Sequence, residues 1–540
     1  MTTVLAKDAF LRGAFILAAA GIAVKMIGSV NRILLSRLLG GEGIGLYQMA
    51  YPIYLLVLSI SSAGIPVAIS ILVAERIALS DHRGAARVFR VSLALLIATG
   101  ALFAAALFFG ADLLISQHIV RDARAYYAII ALAPAVFFAT ILASYRGYFQ
   151  GQQLMTPTAA SQVAEQFVRV VTMVALAYLL LPRGLEYAAA GASFGAGPGA
   201  FSGLCVLLYF HWRHRHRLRD LENQPSNVEQ QPARRIAMRL VKLALPVSLA
   251  NIMAPAVSSI DMLLVPARLE LAGFSVERAT TLFGYLTGMA MPLVMMATIP
   301  TASLAASLVP AVSEANALQD AAGVKRRVRT ALRLCYMITI PSFVGLWALA
   351  TPISRMLYGT EEAGQCIAIL AFAILLLGVH QITTGALQGL GHTAVPVVNM
   401  VFSATVKVAL VWILTAMPAY NIAGAAWATN VDFALAALLN IYFVKRYTGF
   451  AFSFWDTAKA VGAAACMGVA VWLLHGALVM KGTPLSLATL AAVLTGLVIY
   501  GVVLIAVGGL SGEEIAKIPV VGVKAAAWLR KMRVVRDEND

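Results

Sequence analysis

Charge is scarce in this sequence, and acidic charge scarcer still. Of 540 residues only 12% are Asp, Glu, Lys or Arg, with 25 acidic against 41 basic, while 60% are hydrophobic. A soluble domain carries about 25% charged residues, so a water-soluble globular fold is excluded, and the mean hydropathy of +0.83 agrees. Cysteine is rare too. Cys205, Cys335, Cys366 and Cys466 fall in or beside apolar runs, with neither metal-ligand spacing nor a disulfide framework. There is no G-x-x-x-x-G-K-S/T phosphate loop and no H-E-x-x-H motif. No loop is long enough to house a soluble catalytic domain, and the outer loops hold only scattered acids such as Glu277, Glu361 and Glu362. The sequence reads as a non-enzyme. The first apolar run is too long for a secretory leader, and no cleavable signal is expected.

What is present is a series of long apolar stretches. Fourteen read as membrane-spanning helices: 15–38, 48–73, 91–115, 126–149, 159–181, 188–210, 241–265, 281–308, 332–356, 366–390, 395–417, 422–443, 458–478 and 485–507. The fold class is therefore an all-α polytopic membrane protein. An even number of spans puts both termini on one side. That side collects 29 Lys and Arg and the other side 7, which places the termini in the cytoplasm. The net charge of +16 is then a topology signal. It implies attraction to anionic membrane lipids rather than to nucleic acid.

The expected organisation is an N-terminal lobe over 1–210, a basic cytoplasmic loop over 211–240, a C-terminal lobe over 241–445, two further spans over 446–510 and a cytoplasmic tail over 511–540. The loop contains His211, His214 and His216, read as part of a solvated basic anchor. The tail has an amphipathic pattern suited to the lipid interface. The lobes carry signs of duplication. Gly147-Tyr-Phe-Gln150-Gly151 ends the fourth span and Gly385-Ala-Leu-Gln388-Gly389 the tenth; Arg169 and Lys407 each follow 22 residues after the first glycine. The second and eighth spans also end alike, in Val73-Ala-Glu75 and Val312-Ser-Glu314. A six-helix unit repeated in this way is a parallel repeat, with substrate expected between its copies.

The first span holds the central feature. Lys25 and Arg32 are seven residues apart, two turns less about 20°, so they share a helix face with Gly28, Ser29 and Ser36 on or near it. A cation at mid-bilayer costs about 2.5–3.5 kcal/mol. Two readings stand: the stripe faces a polar cavity, or each cation reaches to one interface. The other ionisable residues read as buried within spans are Glu165, Arg169, Asp261, Lys407 and Asp432. Seven such groups facing lipid would cost roughly 20 kcal/mol, more than a domain's net stability, so most must pair or line water. Glu165 and Arg169 are i,i+4 and can pair on one helix. Asp261 with Asn251, and Asn399 with Ser403, form a candidate cation site of oxygen ligands or ordinary helix–helix hydrogen bonds.

The stretches Lys25 to Asn31-Arg32-Ile33, Gly43-Ile-Gly-Leu-Tyr-Gln48-Met-Ala-Tyr-Pro52, Ser62-Ala-Gly-Ile-Pro66-Val-Ala-Ile-Ser70, Arg146-Gly-Tyr-Phe-Gln-Gly151, Glu165-Gln-Phe-Val-Arg169 and Ser307-Leu-Val-Pro310-Ala-Val-Ser-Glu314 resemble the stage V sporulation protein B group. These polysaccharide-biosynthesis proteins belong to the multidrug/oligosaccharidyl-lipid/polysaccharide exporter superfamily, alongside the lipid II flippases. The resemblance covers nearly the whole chain. It implies two six-helix lobes in a V around a central cavity, plus two accessory helices. It also implies movement of an undecaprenyl diphosphate-linked saccharide across the bilayer by alternating access, with first-helix cations lining the cavity, here Lys25 and Arg32. Unlike the proteobacterial-type flippases, the second span has no Lys or Arg before Arg76, and the eighth has Thr287 five residues before Pro292.

The substrate-binding set expected on these grounds is Lys25, Arg32, Arg169 and Lys407 for the diphosphate, Glu165 beside Arg169, and Asn31, Gln150 and Gln388 for sugar hydroxyls. The partner is a polyprenyl-linked glycolipid. No cofactor is expected, and Na+ or H+ is the candidate coupling ion. A cation-coupled drug exporter of the same superfamily is the alternative, but its cavity should be acidic, and here four cations stand against Glu165, Asp261 and Asp432. A non-transporting scaffold in envelope assembly, the third reading, has no use for buried charge.

Overall fold

The computed structural model describes residues 2–62, 64–222, 231–450 and 454–508. The tail and part of the 211–240 loop lie outside the described residues, as do the side chains of His214 and His216. Among the described residues there is no strand: the chain is all-α. It forms α1 (Thr2–Ser62), α2 (Ile65–Ala78), α3 (His82–Ser116), α4 (Tyr126–Gly151), α5 (Met155–Leu180), α6 (Leu185–Phe194), α7 (Ala196–Glu222), α8 (Ala233–Leu271) and α9 (Val276–Gly284). After a π turn at Tyr285–Ala290 follow α10 (Met291–Ala297), α11 (Ile299–Ala317), α12 (Ala321–Ala348), α13 (Ala350–Tyr358), α14 (Ala363–Gly389), α15 (Ala394–Leu414), α16 (Asn421–Thr448), α17 (Phe454–Met480) and α18 (Leu485–Ala506).

Thirteen helical stretches among the described residues are long and apolar enough to cross a membrane, the first of them 60 residues long, Ala19–Ala78. At about 1.5 Å per residue that first stretch is twice a bilayer, so it holds the first two expected spans. The break between them is Gly40, whose φ of 66° is left-handed, a conformation glycine adopts without Cβ strain. Arg32 and Gln48 touch across it, 3.1 Å apart. In an unbroken helix they would be about 24 Å apart along the axis, so the chain turns back at Gly40. The second span breaks again before α2, and the eighth divides into α9, α10 and α11.

The chain divides into two compact units, Met1–Gly288 and Met289–Asp540. This division falls later than the expected loop boundary at 211–240 because the seventh span packs on the first unit. Ser248 Oγ accepts from the Gly64 amide at 3.0 Å, and Arg239 pairs with Glu75 at 2.8 Å. In the first unit the core joins Ile69, Leu72 and Val73 to Phe89, Leu142, Phe149, Leu207 and Leu240. In the second it joins Leu308 and Val312 to Val328, Leu332, Ile382 and Leu387. Helices α17 and α18 dock on α12, where the Tyr500 hydroxyl donates to the Met337 carbonyl at 2.9 Å.

The two units repeat a local design. A Cβ on Gly151 would lie 2.7 Å from Val73 Cβ, and one on Gly389 would lie 2.8 Å from Val312 Cβ. One turn earlier, Gly147 lies against the Pro66 carbonyl and Gly385 against the Ala305 carbonyl. Both glycine pairs therefore let a later helix approach an earlier one closely. The following turns match as well. Ser80 and Gln319 have φ of 56° and 55°. Asp81 and Asp320 then cap their helices by accepting from the Gly84 and Gly323 amides, each at 2.8 Å.

Candidate functional site

The reversal at Gly40 lays the second limb of α1 beside the first and turns Arg32 inward. Its Nη1 donates to Gln48 Oε1 at 3.1 Å, and Gln48 Nε2 in turn donates to the Thr287 carbonyl at 2.9 Å. The guanidinium also lies over the Tyr51 ring, 5.3 Å from its centroid, within cation–π range. Tyr47, Tyr51 and Tyr54 form a ladder, at helical spacings of four and three residues, with centroids 5.3 and 5.8 Å apart. At its far end Arg169 interacts with the Tyr54 side chain.

Arg169 pairs with Glu165 at 2.9 Å, the i,i+4 pair the sequence suggests. Glu165 has a second partner, Arg146 of α4, at 2.8 Å. Arg146 is also tied to Ser161 Oγ at 3.1 Å. Arg169 keeps a buried Nε–H with no acceptor. The result is a polar path from Arg32 through the tyrosines to Arg169, Glu165 and Arg146, with three guanidiniums along it and one carboxylate, which Arg146 and Arg169 share. Such a cluster has spare donors for an anion.

The other expected residues of this unit fall around it. Asn31 is buried; its amide donates to Met173 Sδ at 3.4 Å and its Oδ1 has no partner. Lys25 is exposed at the margin of an apolar stripe of Ile22, Met26, Val30 and Leu34, and makes no ion pair among the described residues. Gln150 sits one turn beyond Arg146 on α4 and is half-buried. Asp261 is half-buried on α8 and Asn251, ten residues earlier, is exposed.

The second unit holds its own polar stripe on α15. Asn399, Ser403 and Lys407 are spaced by four and all buried. Ser403 Oγ donates to Asp432 of α16 at 2.6 Å. Asn399 donates to Asn440 at 2.8 Å, and Asn440 donates to Thr384 at 2.9 Å with His380 Nδ1 3.3 Å away. The structure thus brings Asn399 and Ser403 onto one network. They use α16 partners in it, while Asp261 and Asn251 belong to the other unit. Gln388 is exposed at the end of α14. Among the described residues no three His, Cys, Asp or Glu side chains come together as a metal site.

A third cluster closes the Gly40 end of the first unit. Arg124 bonds Glu42 at 2.6 Å and Asp122 at 2.8 Å, and Asp122 accepts from the Thr280 hydroxyl at 2.9 Å. The backbone of α1 at Gly45 lies against Thr280 so closely that a side chain there would collide with its carbonyl. Burial raises the Asp122 pKa, but bonds from Arg124 and Thr280 outweigh it and hold the carboxyl below its ordinary value.

Sequence reasoning did not single out Arg146, Gln48 or Tyr51. Arg146 lies three residues from the expected end of its span, where a cation reads as part of the cytoplasmic edge. It in fact faces Glu165, and no spacing rule links residues on separate helices. Gln48 and Tyr51 sat in the resembling stretch, without a signal that the chain doubles back onto Arg32.

The model of the polysaccharide biosynthesis protein family matches residues 10–316, and that of the lipid II flippase MurJ matches residues 289–493. Stage V sporulation protein B of Bacillus subtilis is 33% identical over 448 residues, covering 82% of this chain and 85% of that protein. Lipid II flippase MurJ of Bacillus subtilis is 26% identical over 486 residues, covering 85% and 87% respectively. A solved structure of lipid II flippase MurJ superposes with a TM-score of 0.67 at 16% identity, covering 96% of this chain and 100% of that one. The fold class and the resemblance expected from the sequence are thereby borne out. This multi-pass membrane protein belongs to the polysaccharide biosynthesis protein family, in the flippase group of the multidrug/oligosaccharidyl-lipid/polysaccharide exporter superfamily.

Proposed function

We propose that this protein carries a polyprenyl diphosphate-linked saccharide, of the lipid II kind, from the inner to the outer leaflet of a bacterial plasma membrane. The observation that carries the reading is the pair Arg146 and Arg169 on the single carboxylate of Glu165, with Arg32 at the other end of the same tyrosine-lined path. A diphosphate head is anionic and strongly hydrated. It needs charge-assisted donors to leave water, and arginines supply them in a fork that matches phosphate oxygens. Lys25, exposed on the same helix as Arg32, is placed to meet the head group first. The phenol ladder and the free Oδ1 of Asn31 offer partners to sugar hydroxyls, with Gln150 beside Arg146. The polyprenyl tail stays in lipid.

Transport follows from exposing this cluster alternately to the two sides of the membrane, the termini being cytoplasmic by the distribution of Lys and Arg. The Glu42–Arg124–Asp122–Thr280 cluster then lies at the outer end and holds it shut. The basic cytoplasmic face holds anionic lipids. The work is translocation without bond making, and no cofactor takes part. In the second unit Lys407 supplies the positive charge of the α15 stripe, in place of a bound Na+. A site for cationic drugs would present acids, and this one presents guanidiniums. The test is flipping of labelled lipid II and of undecaprenyl diphosphate by the purified protein in liposomes, beside efflux of cationic dyes. Glycolipid flipping without dye efflux supports the reading, and dye efflux without flipping refutes it.

A further inference from the structure

Glu165 divides its two oxygens between two helices. Oε2 accepts from Arg146 of α4 at 2.8 Å and Oε1 from Arg169 of α5 at 2.9 Å. One anion holding two guanidiniums through separate oxygens is the arrangement a phosphate adopts between two arginines. Each arginine has something left when the carboxylate is removed. Arg146 stays tethered through Nε to Ser161, and Arg169 still offers its unmet buried Nε–H. The three side chains keep 16–19% of their surface exposed, so water and a small anion reach them.

We propose that Glu165 is a resident stand-in for the head-group phosphate. It holds Arg146 and Arg169 in binding geometry while the site is empty and yields both when the diphosphate enters. This rests on the reading of the cluster as a polyprenyl diphosphate site. The diphosphate brings more negative charge and more acceptor oxygens than a carboxylate, so the exchange runs forward on entry. On exit the carboxylate, tethered one turn from Arg169 on the same helix, competes with the departing phosphate and speeds its release. Glu165 is a positioning residue: it acts through the arginines, lowering affinity and raising turnover.

The test is Glu165→Gln, which keeps the shape and removes the competing charge. Binding of undecaprenyl diphosphate to the full-length protein in nanodiscs is measured by native mass spectrometry, with flipping in liposomes alongside. The expected result is roughly tenfold tighter binding, the scale of one charge-assisted hydrogen bond that no longer has to be broken, together with slower maximal flipping. A merely structural ion pair gives weaker binding instead, so unchanged or weaker binding overturns the proposal. Should Glu165→Gln fail to fold, Glu165→Asp serves. Its carboxylate is too short to span both arginines, so tighter binding than wild type supports the exchange and equal or weaker binding overturns it. Wild-type protein that binds no undecaprenyl diphosphate refutes the head-group reading and this inference together, whereas wild-type binding that Glu165→Gln fails to tighten refutes the inference alone.

Discussion

Arg32 donates to Gln48 across the reversal at Gly40, so a cation of the first span is turned onto the second span and away from the apolar stripe of its own helix. The guanidinium also covers the Tyr51 ring, which leaves its remaining N–H groups for a ligand. Arg32→Ala should cut glycolipid flipping by about 10- to 100-fold, the loss of one or two charge-assisted bonds. Arg32→Lys should recover only part, because an ammonium cannot fork. Gln48→Ala should cost less, since it orients Arg32 and spends its amide on the Thr287 carbonyl. Initial flipping rates in liposomes check all three.

The outer cluster gives a prediction about pH. Asp122 has a lowered pKa in the folded protein, so its contribution is present above the ordinary carboxylate range and is lost only as pH falls through the lower, folded value. Thermal stability should therefore be insensitive to this group between about pH 5 and 8 and fall in stronger acid. Asp122→Ala removes an acceptor from Thr280 and from Arg124, which keeps Glu42, and should cost about 1–3 kcal/mol. Melting temperatures of the two proteins across pH check this; the difference between them should shrink in acid.

The paired glycines give a symmetrical prediction. Gly151→Val and Gly389→Val each push a side chain into a neighbouring valine, Val73 or Val312. Each should destabilise by about 1–3 kcal/mol through overpacking. Equal costs at the two positions in a chemical unfolding assay would show that the repeat is energetic as well as geometric.

In the second unit Lys407 is buried on the stripe of Asn399 and Ser403, with Asp432 held by Ser403. If Lys407 provides the cationic charge there, replacing Na+ by K+ should leave both melting temperature and flipping unchanged. Lys407→Met removes the cation of this buried stripe and should lower both melting temperature and flipping. A melting temperature that rises with Na+ would instead make the stripe a cation site.

Much of this was legible in the sequence, for reasons that particular residues make clear. Apolar length and the scarcity of charge set the spans, since a bilayer demands both. The Glu165–Arg169 pair was readable because i,i+4 is a property of one helix. The glycines at 147, 151, 385 and 389 were visible as a repeated pattern, although their role in helix contact was not. What was hidden depends on contacts between separate helices. Arg146 meets Glu165 only through the packing of α4 on α5, and Arg32 meets Gln48 only because Gly40 reverses the chain. The breaks in the second and eighth spans were legible, because Pro66, Pro292 and Pro300 stand inside those apolar runs and open α2, α10 and α11.

The most direct test of the central claim is lipid II flipping by purified protein in liposomes, comparing wild type with Lys25→Ala, Arg32→Ala and Arg169→Ala at matched incorporation. The cationic path as head-group site predicts robust flipping by wild type, a small loss for Lys25→Ala and a loss of about 10- to 100-fold for each of the two arginine variants. Wild-type rates in both arginine variants would contradict it.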